Sequence, residues 1–285
     1  MEIVKPSVEL WRQDDVKAHV ARCARVCYAS NKTTDNEAMY QRLINAGHMS
    51  MLRHESVYYI VPYLPHREES ISGWSTCPYV EYFVTKDYIY IATNRQFALE
   101  NQDNGWDYWN EWEVDALEFD NTEIGHELMR YTFKVVTQIS TSRELNRVSP
   151  NNISEQSTRY VNLSKKGGAI CQPYWLEQSD IEDWINGNNN ATAIYYLNQC
   201  QLGFDCYNEL ISIGMKPQDA RGVLPLDTAT VCIYTYSVRQ WKHIIDLRYH
   251  GTTGAPHPNA KIIAGMIKEE LEDLGYEILN IKTNN

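Results

Sequence analysis

Arg143-Glu144-Leu145-Asn146-Arg147-Val148-Ser149-Pro150-Asn151-Asn152-Ile153-Ser154-Glu155-Gln156-Ser157-Thr158-Arg159-Tyr160 is the stretch around which the chain is organised. It follows an apolar run at 133–139 and carries three arginines, two glutamates and many small hydroxyl and amide side chains. An arginine presents a planar fork of donors that matches a phosphate or the carbonyl edge of a base. Ser157, Thr158 and nearby backbone N–H groups have the makings of an anion cradle. Residues 140–146 read as a helix, and Pro150 with Asn151-Asn152 then breaks regularity, so the second half of the stretch is expected to be a loop. A solvated loop with ordinary charge pairs is the bland alternative, and the rest of the chain has to decide between the two.

Working outward, residues 13–30 read as a helix from the helical spacing of Val16, His19, Val20, Cys23 and Val26. A second helix at 36–45 stops at Gly47, and the β-branched and aromatic run 57–61 is a strand ended by Pro62 and Pro65. Within 66–125, strands are expected at 79–84 and 88–92, with a helix over 94–101 led into by the second as the alternative. Trp106, Trp109 and Trp112 alternate there with Asp107, Glu111, Glu113, Asp115 and Glu118. That pattern is read as a surface helical elaboration packing aromatics on the body, with a partner or lid surface as the sharper alternative. Downstream, a strand is expected at 132–139, a polar flexible piece at 161–168 and helices at 180–185 and 191–213. A break at 215–225, a strand at 230–236, a helix at 237–247, a loop at 251–258 and a last helix at 260–274 follow. With no internal repeat and no clean linker, residues 1–285 are expected to form one domain with an insertion at about 66–125.

The formal charge of −11 argues against a general nucleic-acid binder, yet leaves room for a small anion in a local arginine pocket. Seven irregularly spaced cysteines read as reduced thiols, the first residues lack a secretory layout, and no apolar run is long enough for a bilayer. A cytoplasmic protein with no membrane partner is expected. His48 and His54 flank Ser50 with no third ligand at a sensible spacing, so no metal site is expected. Cys23 and Cys27, one helical turn apart, read as core thiols before a redox pair. No dinucleotide-binding glycine motif, P-loop or nucleophile elbow is present. Cations recur in three separated segments: Arg147 with Arg159, Arg221 before Leu224-Pro225, and Arg239 with Arg248. Glu144 or Glu155 can supply an acceptor beside them, so chemistry alone reaches an anionic-ligand site built from arginines.

Four blocks in order resemble the flavin-dependent thymidylate synthases. That family's signature runs Arg-His-Arg, seven residues, then Ser-x-Arg-Tyr. Here Arg147-Val148-Ser149 is followed, after residues 150–156, by Ser157-Thr158-Arg159-Tyr160. Lys216-Pro217-Gln218-Asp219-Ala220-Arg221-Gly222-Val223-Leu224-Pro225 is similar to the second hallmark, and Val238-Arg239-Gln240-Trp241-Lys242-His243 through Arg248 to the third. Gly47-His48-Met49-Ser50 with Arg53-His54-Glu55-Ser56 is similar to the early block. The departure is Val148 and Ser149, which stand where the family places His and Arg against the flavin.

The resemblance implies α+β subunits of mixed helices and antiparallel sheet, forming a homotetramer whose active sites are shared between chains. It implies methylation of dUMP to dTMP, with methylenetetrahydrofolate as carbon donor and FAD, reduced by NADPH, as carrier. Carried over by position, Glu144, Arg147, Glu155, Gln156, Ser157, Arg159, Arg221 and Arg248 bind dUMP. Ser50, His54, Arg147, Ser237, Arg239, His243 and Leu247 contact FAD. Arg248 and Ser157 carry the catalytic expectation: Arg248 polarises the uracil, and Ser157 orients substrate without acting as nucleophile. Two alternatives stay open, a relative that modifies C5 of another pyrimidine nucleotide (by hydroxymethylation, for example) and a non-catalytic nucleotide-binding homologue.

Overall fold

A computed structural model describes residues 1–30, 35–148, 152–187 and 191–278. Ser149, Pro150 and Asn151 of the organising stretch lie outside the described residues. The strands are β1 (Glu2–Val4), β2 (Ser7–Trp11), β3 (Ser56–Pro62), β4 (Glu81–Val84), β5 (Tyr88–Asn94), β6 (Glu113–Val114), β7 (Arg130–Gln138), β8 (Ile153–Glu155), β9 (Ala169–Cys171) and β10 (Ala229–Ser237). The helices that position the site are α1 (Val16–Cys27), α2 (Asn36–Asn45), α3 (Ile139–Asn146), α4 (Ala191–Ser212), α5 (Val238–Ile245) and α6 (Pro258–Asp273). The class is α+β, with helices packed on antiparallel sheets.

The central sheet runs β2-β7-β10-β8 and is antiparallel throughout. Its middle pair, β7 and β10, is rich in β-branched and aromatic residues, and the alternation gives the two faces different work. Tyr131, Phe133 and Val135 oppose Tyr236, Tyr234 and Cys232 on one face. They join Trp241, Ile244 and Ile245 of α5 and Ile263, Ile267 and Leu271 of α6 in the main core. Trp241 fixes the docking of α5, donating its indole N–H to the Tyr131 carbonyl at 3.1 Å and meeting Phe133 edge-on with centroids 5.1 Å apart. The opposite face carries Thr132 and Thr235, which meet polar side chains from α1 and from the turn before β3. β1 and β9 form a separate parallel pair.

A second antiparallel sheet runs β4-β5-β3-β6, and β4, β5 and β6 all come from residues 66–125. The strands expected at 79–84 and 88–92 are present as β4 and β5, and the tryptophan run packs its aromatics on this sheet, more deeply than a surface elaboration would. Trp106 and Trp109 have 0% and 1% of their surface exposed and pack in one core with Val57, Tyr59, Val61 and Phe97. The reason is local: residues Trp106–Trp112 form a 3₁₀ helix, and three residues per turn put Trp106, Trp109 and Trp112 on one side. Asp107, Asn110 and Glu111 are left to solvent.

Two further corrections bear on the site. The expected loop after Pro150 contains β8, whose Ile153, Ser154 and Glu155 pair with Tyr234, Ile233 and Cys232. The expected helix over 237–247 is α-helical only to Ile245, then widens into a π turn, Asp246–His250, that stops at Gly251 with φ +67°. β1, β2 and β9 are short and were not anticipated from the sequence pattern.

Candidate active site

The C-terminal end of α3 and the π turn meet at an arginine–glutamate cluster. Arg248 Nε donates to the Glu144 carbonyl at 2.8 Å, and its Nη2 lies 3.8 Å from the Glu144 carboxylate. Arg147 reaches the same carboxylate at 3.5 Å. The carbonyls of a helix's last turn lack intrahelical donors and carry its negative end, so a guanidinium docks there readily. Arg248 keeps 15% of its side chain exposed and Arg147 keeps 72%, so one is fixed and the other is free to reach out. Single-turn π segments occur frequently at functional sites, and this one holds both Leu247 and Arg248.

Of the other predicted nucleotide residues, Glu155 to Arg159 lie on β8 and the turn after it, and Arg221 opens the 3₁₀ turn Arg221–Val223. Burial pushes the Glu155 carboxyl upward while hydroxyl donors from Thr230 and Ser142, each at 3.1 Å, favour its charged form. Gln156 donates its backbone N–H to the Val231 carbonyl, and Ser157 does so to the Cys27 carbonyl, both at 2.9 Å. Arg221 donates to the Thr158 hydroxyl at 2.8 Å, and Arg159 lies over the Tyr160 ring. Among the described residues, the Ser157 hydroxyl bonds only the Arg159 N–H, so no side-chain base touches it. The structure therefore gathers Glu144, Arg147 and Arg248 in one place and Ser157, Arg159 and Arg221 in another. No hydrogen bond or ion pair joins the two groups among the described residues.

The predicted cofactor residues fall at several depths. Arg239 and His243 are exposed one turn apart on α5 and line a cavity of about 380 Å³ with Val148 and Gln240. Its far side is Ser75, Thr76, Cys77, Pro78, Val80 and Glu81 of the 66–125 segment. Ser237 is fully buried and caps α5: its hydroxyl accepts from the Gln240 N–H at 3.1 Å and donates to Glu81. Ser50 is exposed and lines a different cavity of about 390 Å³ with His48, Met51, Cys27 and Arg42. Leu247 is half-buried on the π turn.

His54 has no exposed surface, and its ring nitrogens bond the Thr235 hydroxyl at 2.8 Å and the Ser154 hydroxyl at 2.7 Å. The chain continues from Thr235 to Thr132 at 2.7 Å and on to His19 at 3.2 Å. Burial, reinforced by nearby cations, lowers His54 to about 3 and His19 to about 4. Both values lie below the ordinary 6.5, so the unfolded chain takes up protons first and stability falls with pH from about 6.5 toward 4. The expected result is a urea midpoint that drops steadily between pH 7 and pH 5, and drops less in His54→Gln. A midpoint that stays level over that range would show that neither imidazole is held neutral by the fold.

Sequence reasoning missed a set of buried polar groups around Ser237 and Thr235. Glu81 Oε2, Arg130 Nε, Asn94 Nδ2 and both amide atoms of Asn152 are buried with no hydrogen-bond partner. Arg130 is the register partner of Ser237, the Asn152 carbonyl accepts from the Thr235 N–H, and Asn94 pairs with Ser56. Unpartnered buried polar groups are few in folded proteins, and each calls for an occupant or a role. No sequence pattern marks them, because a lone Glu, Arg or Asn carries no periodicity. Among the described residues no three His, Cys, Asp or Glu side chains gather to hold a metal ion, and no helix is long and apolar enough to cross a membrane. Cys23 is buried and Cys27 half-buried, both as free thiols pushed upward by burial.

Residues 123–274 match the model of the family described as thymidylate synthase complementing protein. The chain belongs to that family. The matched region holds β7, the arginine-rich stretch, β10, α5 and the π turn. Among curated relatives, a flavin-dependent thymidylate synthase of Haloarcula marismortui is 26% identical over 110 residues, or 33% of this chain and 43% of that enzyme. A flavin-dependent thymidylate synthase of Halobacterium salinarum is 30% identical over 76 residues, or 23% of this chain and 31% of that enzyme. The alignments thus span less than half the length of either relative. Among solved structures, the UMP/dUMP methylase PolB from Streptomyces cacaoi, bound with 5-Br dUMP, aligns at 16% identity and a TM-score of 0.45, over 96% of this chain and 93% of that one.

Proposed function

We propose that this member of the thymidylate synthase complementing family methylates dUMP at C5 to give dTMP. The carbon donor is methylenetetrahydrofolate, the carrier is FAD, and the reductant is NADPH. The observation that carries the reading is Arg248, a guanidinium pinned at 2.8 Å to the end of α3 beside Glu144 and Arg147, inside the region matched by the family. For C5 of a uracil to act as a nucleophile, negative charge has to build on its carbonyl oxygens, and a fixed cation lowers that barrier without reorganising. Arg147, Arg159 and Arg221 are exposed guanidiniums suited to the phosphate. Their separation into two groups within one chain supports a homotetramer that completes each site from neighbouring subunits, each subunit one domain with 66–125 inserted.

The residues present fit a flavin nucleotide. The cavity at α5 offers guanidinium and imidazole donors from Arg239 and His243 on one side and the Glu81 carboxylate on the other. Among the unpartnered polar atoms, Glu81 Oε2 belongs to a lining residue and is left to accept from a ligand donor. FAD, when bound, supplies the carrier and redox chemistry for the one-carbon unit. His54, buried, ties β10 to β8 through the Thr235 and Ser154 hydroxyls, and Ser237, buried, ties the start of α5 to Glu81.

Val148 lines the same cavity where the family signature has His, which favours, as a second reading, an enzyme that modifies C5 of another pyrimidine nucleotide. Product analysis by mass spectrometry separates the readings: the protein is given FAD, NADPH, methylenetetrahydrofolate and either dUMP or dCMP. Thymidylate from dUMP is the expected result. A hydroxymethylated or cytosine product moves the assignment to the second reading, and bound nucleotide without product leaves a binding subunit.

A further inference from the structure

We propose that segment 75–81 of the insertion is the second wall of the flavin cavity, and that Glu81 is the positioning residue that holds it there. The inference rests on the reading of the α5 cavity as the flavin site. Two contacts clamp the segment to the start of α5: Ser237 donates its hydroxyl to Glu81, and Gln240 Nε2 donates to the Pro78 carbonyl at 3.0 Å. The clamp places the hydroxyls of Ser75 and Thr76, the thiol of Cys77 and the carboxylate of Glu81 opposite Arg239 and His243 around one space of about 380 Å³. One wall offers a guanidinium and an imidazole and the other hydroxyls and a carboxylate, a mix of donors and acceptors suited to a sugar–phosphate-bearing flavin.

The Ser237 hydroxyl, expected from the resemblance to touch the cofactor, spends its one donor on Glu81 and one lone pair on the Gln240 N–H, and the residue is fully buried. Glu81 instead lines the cavity, and its second oxygen has no partner. The insertion thereby acquires a role in the cofactor site. Without Glu81 the segment keeps its covalent place between the helix Pro65–Ser72 and β4 but loses one of its two ties to α5.

Cys77 is a built-in reporter, because it lines the cavity and is half-buried, whereas Cys206 is exposed on α4 outside it. Full-length protein is titrated with FAD, binding is followed by flavin fluorescence, and alkylation of Cys77 and Cys206 by iodoacetamide is timed by mass spectrometry. Saturating FAD is expected to slow labelling of Cys77 several-fold and leave Cys206 unchanged. Glu81→Ala is expected to weaken FAD about tenfold and to speed Cys77 labelling in the FAD-free protein. Glu81→Gln, which keeps an acceptor for the Ser237 hydroxyl, restores both toward wild type. FAD that binds while Cys77 labels at an unchanged rate overturns the inference and leaves the flavin reading standing. Wild-type protein that binds no FAD overturns both.

Discussion

Under the proposed function, Arg248→Ala is expected to lower turnover of dUMP by about 10²–10³-fold, the loss that follows when one preorganised stabiliser of developing charge is removed. The expectation follows from how the side chain is held. Its Nε is committed to the Glu144 carbonyl at 2.8 Å and Nη2 faces the Glu144 carboxylate at 3.8 Å, so the guanidinium plane is set before substrate arrives. A cation fixed in advance stabilises a transition state more than a mobile one, because no reorientation is needed during the step. Arg248→Lys keeps a charge but loses the planar fork that grips the helix end, and is expected to recover only part of the rate. The loss should appear in kcat more than in KM, since Arg147, Arg159 and Arg221, the guanidiniums proposed for the phosphate, are left in place. Wild-type turnover in the alanine variant would remove Arg248 from the reaction and with it the main support for the proposed chemistry.

Charge and helix-ending signals made much of this cluster legible. The arginines stand out in a chain of net charge −11, and α3, β10 and α5 follow from their apolar periodicity. The π turn did not follow. Leu247 and Arg248 continue the helical pattern in sequence, and a one-residue widening of the hydrogen-bond ladder leaves no compositional trace. β8 was hidden for a related reason. Pro150, Asn151 and Asn152 announce a break, but only three residues, Ile153–Glu155, pair with β10, too few for an alternation to register. The depth of His54 was equally unreadable, because burial depends on Thr235 and Ser154, which are 181 and 100 residues away in sequence.

The acidic run with Trp106, Trp109 and Trp112 read as aromatics packed on the body, but the sheet they cover was not legible, because Val57, Tyr59 and Val61 lie roughly 50 residues earlier in sequence and no local pattern links them. At three residues per turn the same spacing makes a single apolar edge, and the acidic residues between them solvate the rest. The consequence reaches the candidate site, since the run packs on β3 in the same sheet whose edge strand β4 carries Glu81.

Trp106→Ala is therefore expected to destabilise the protein by about 3–5 kcal/mol, the range for truncating a large buried aromatic. Its ring has 0% exposure, meets Phe97 and Trp74 edge-on with centroids 4.8 and 5.7 Å apart, and donates its N–H to the Tyr59 hydroxyl at 3.2 Å. Removal leaves a cavity against β3 and strips Tyr59, itself fully buried, of a hydrogen-bond donor. Tyr108, exposed on the other side of the same 3₁₀ helix, provides the contrast: Tyr108→Ala is expected to cost about 1 kcal/mol or less. Urea unfolding of the two variants decides the point. Near-equal midpoints would restore the picture of a surface elaboration, whereas a large deficit confined to Trp106→Ala makes the insertion a second core. In that case FAD affinity should fall in Trp106→Ala together with stability, because the sheet whose edge strand β4 carries Glu81 loses its packing at Tyr59 and Trp74.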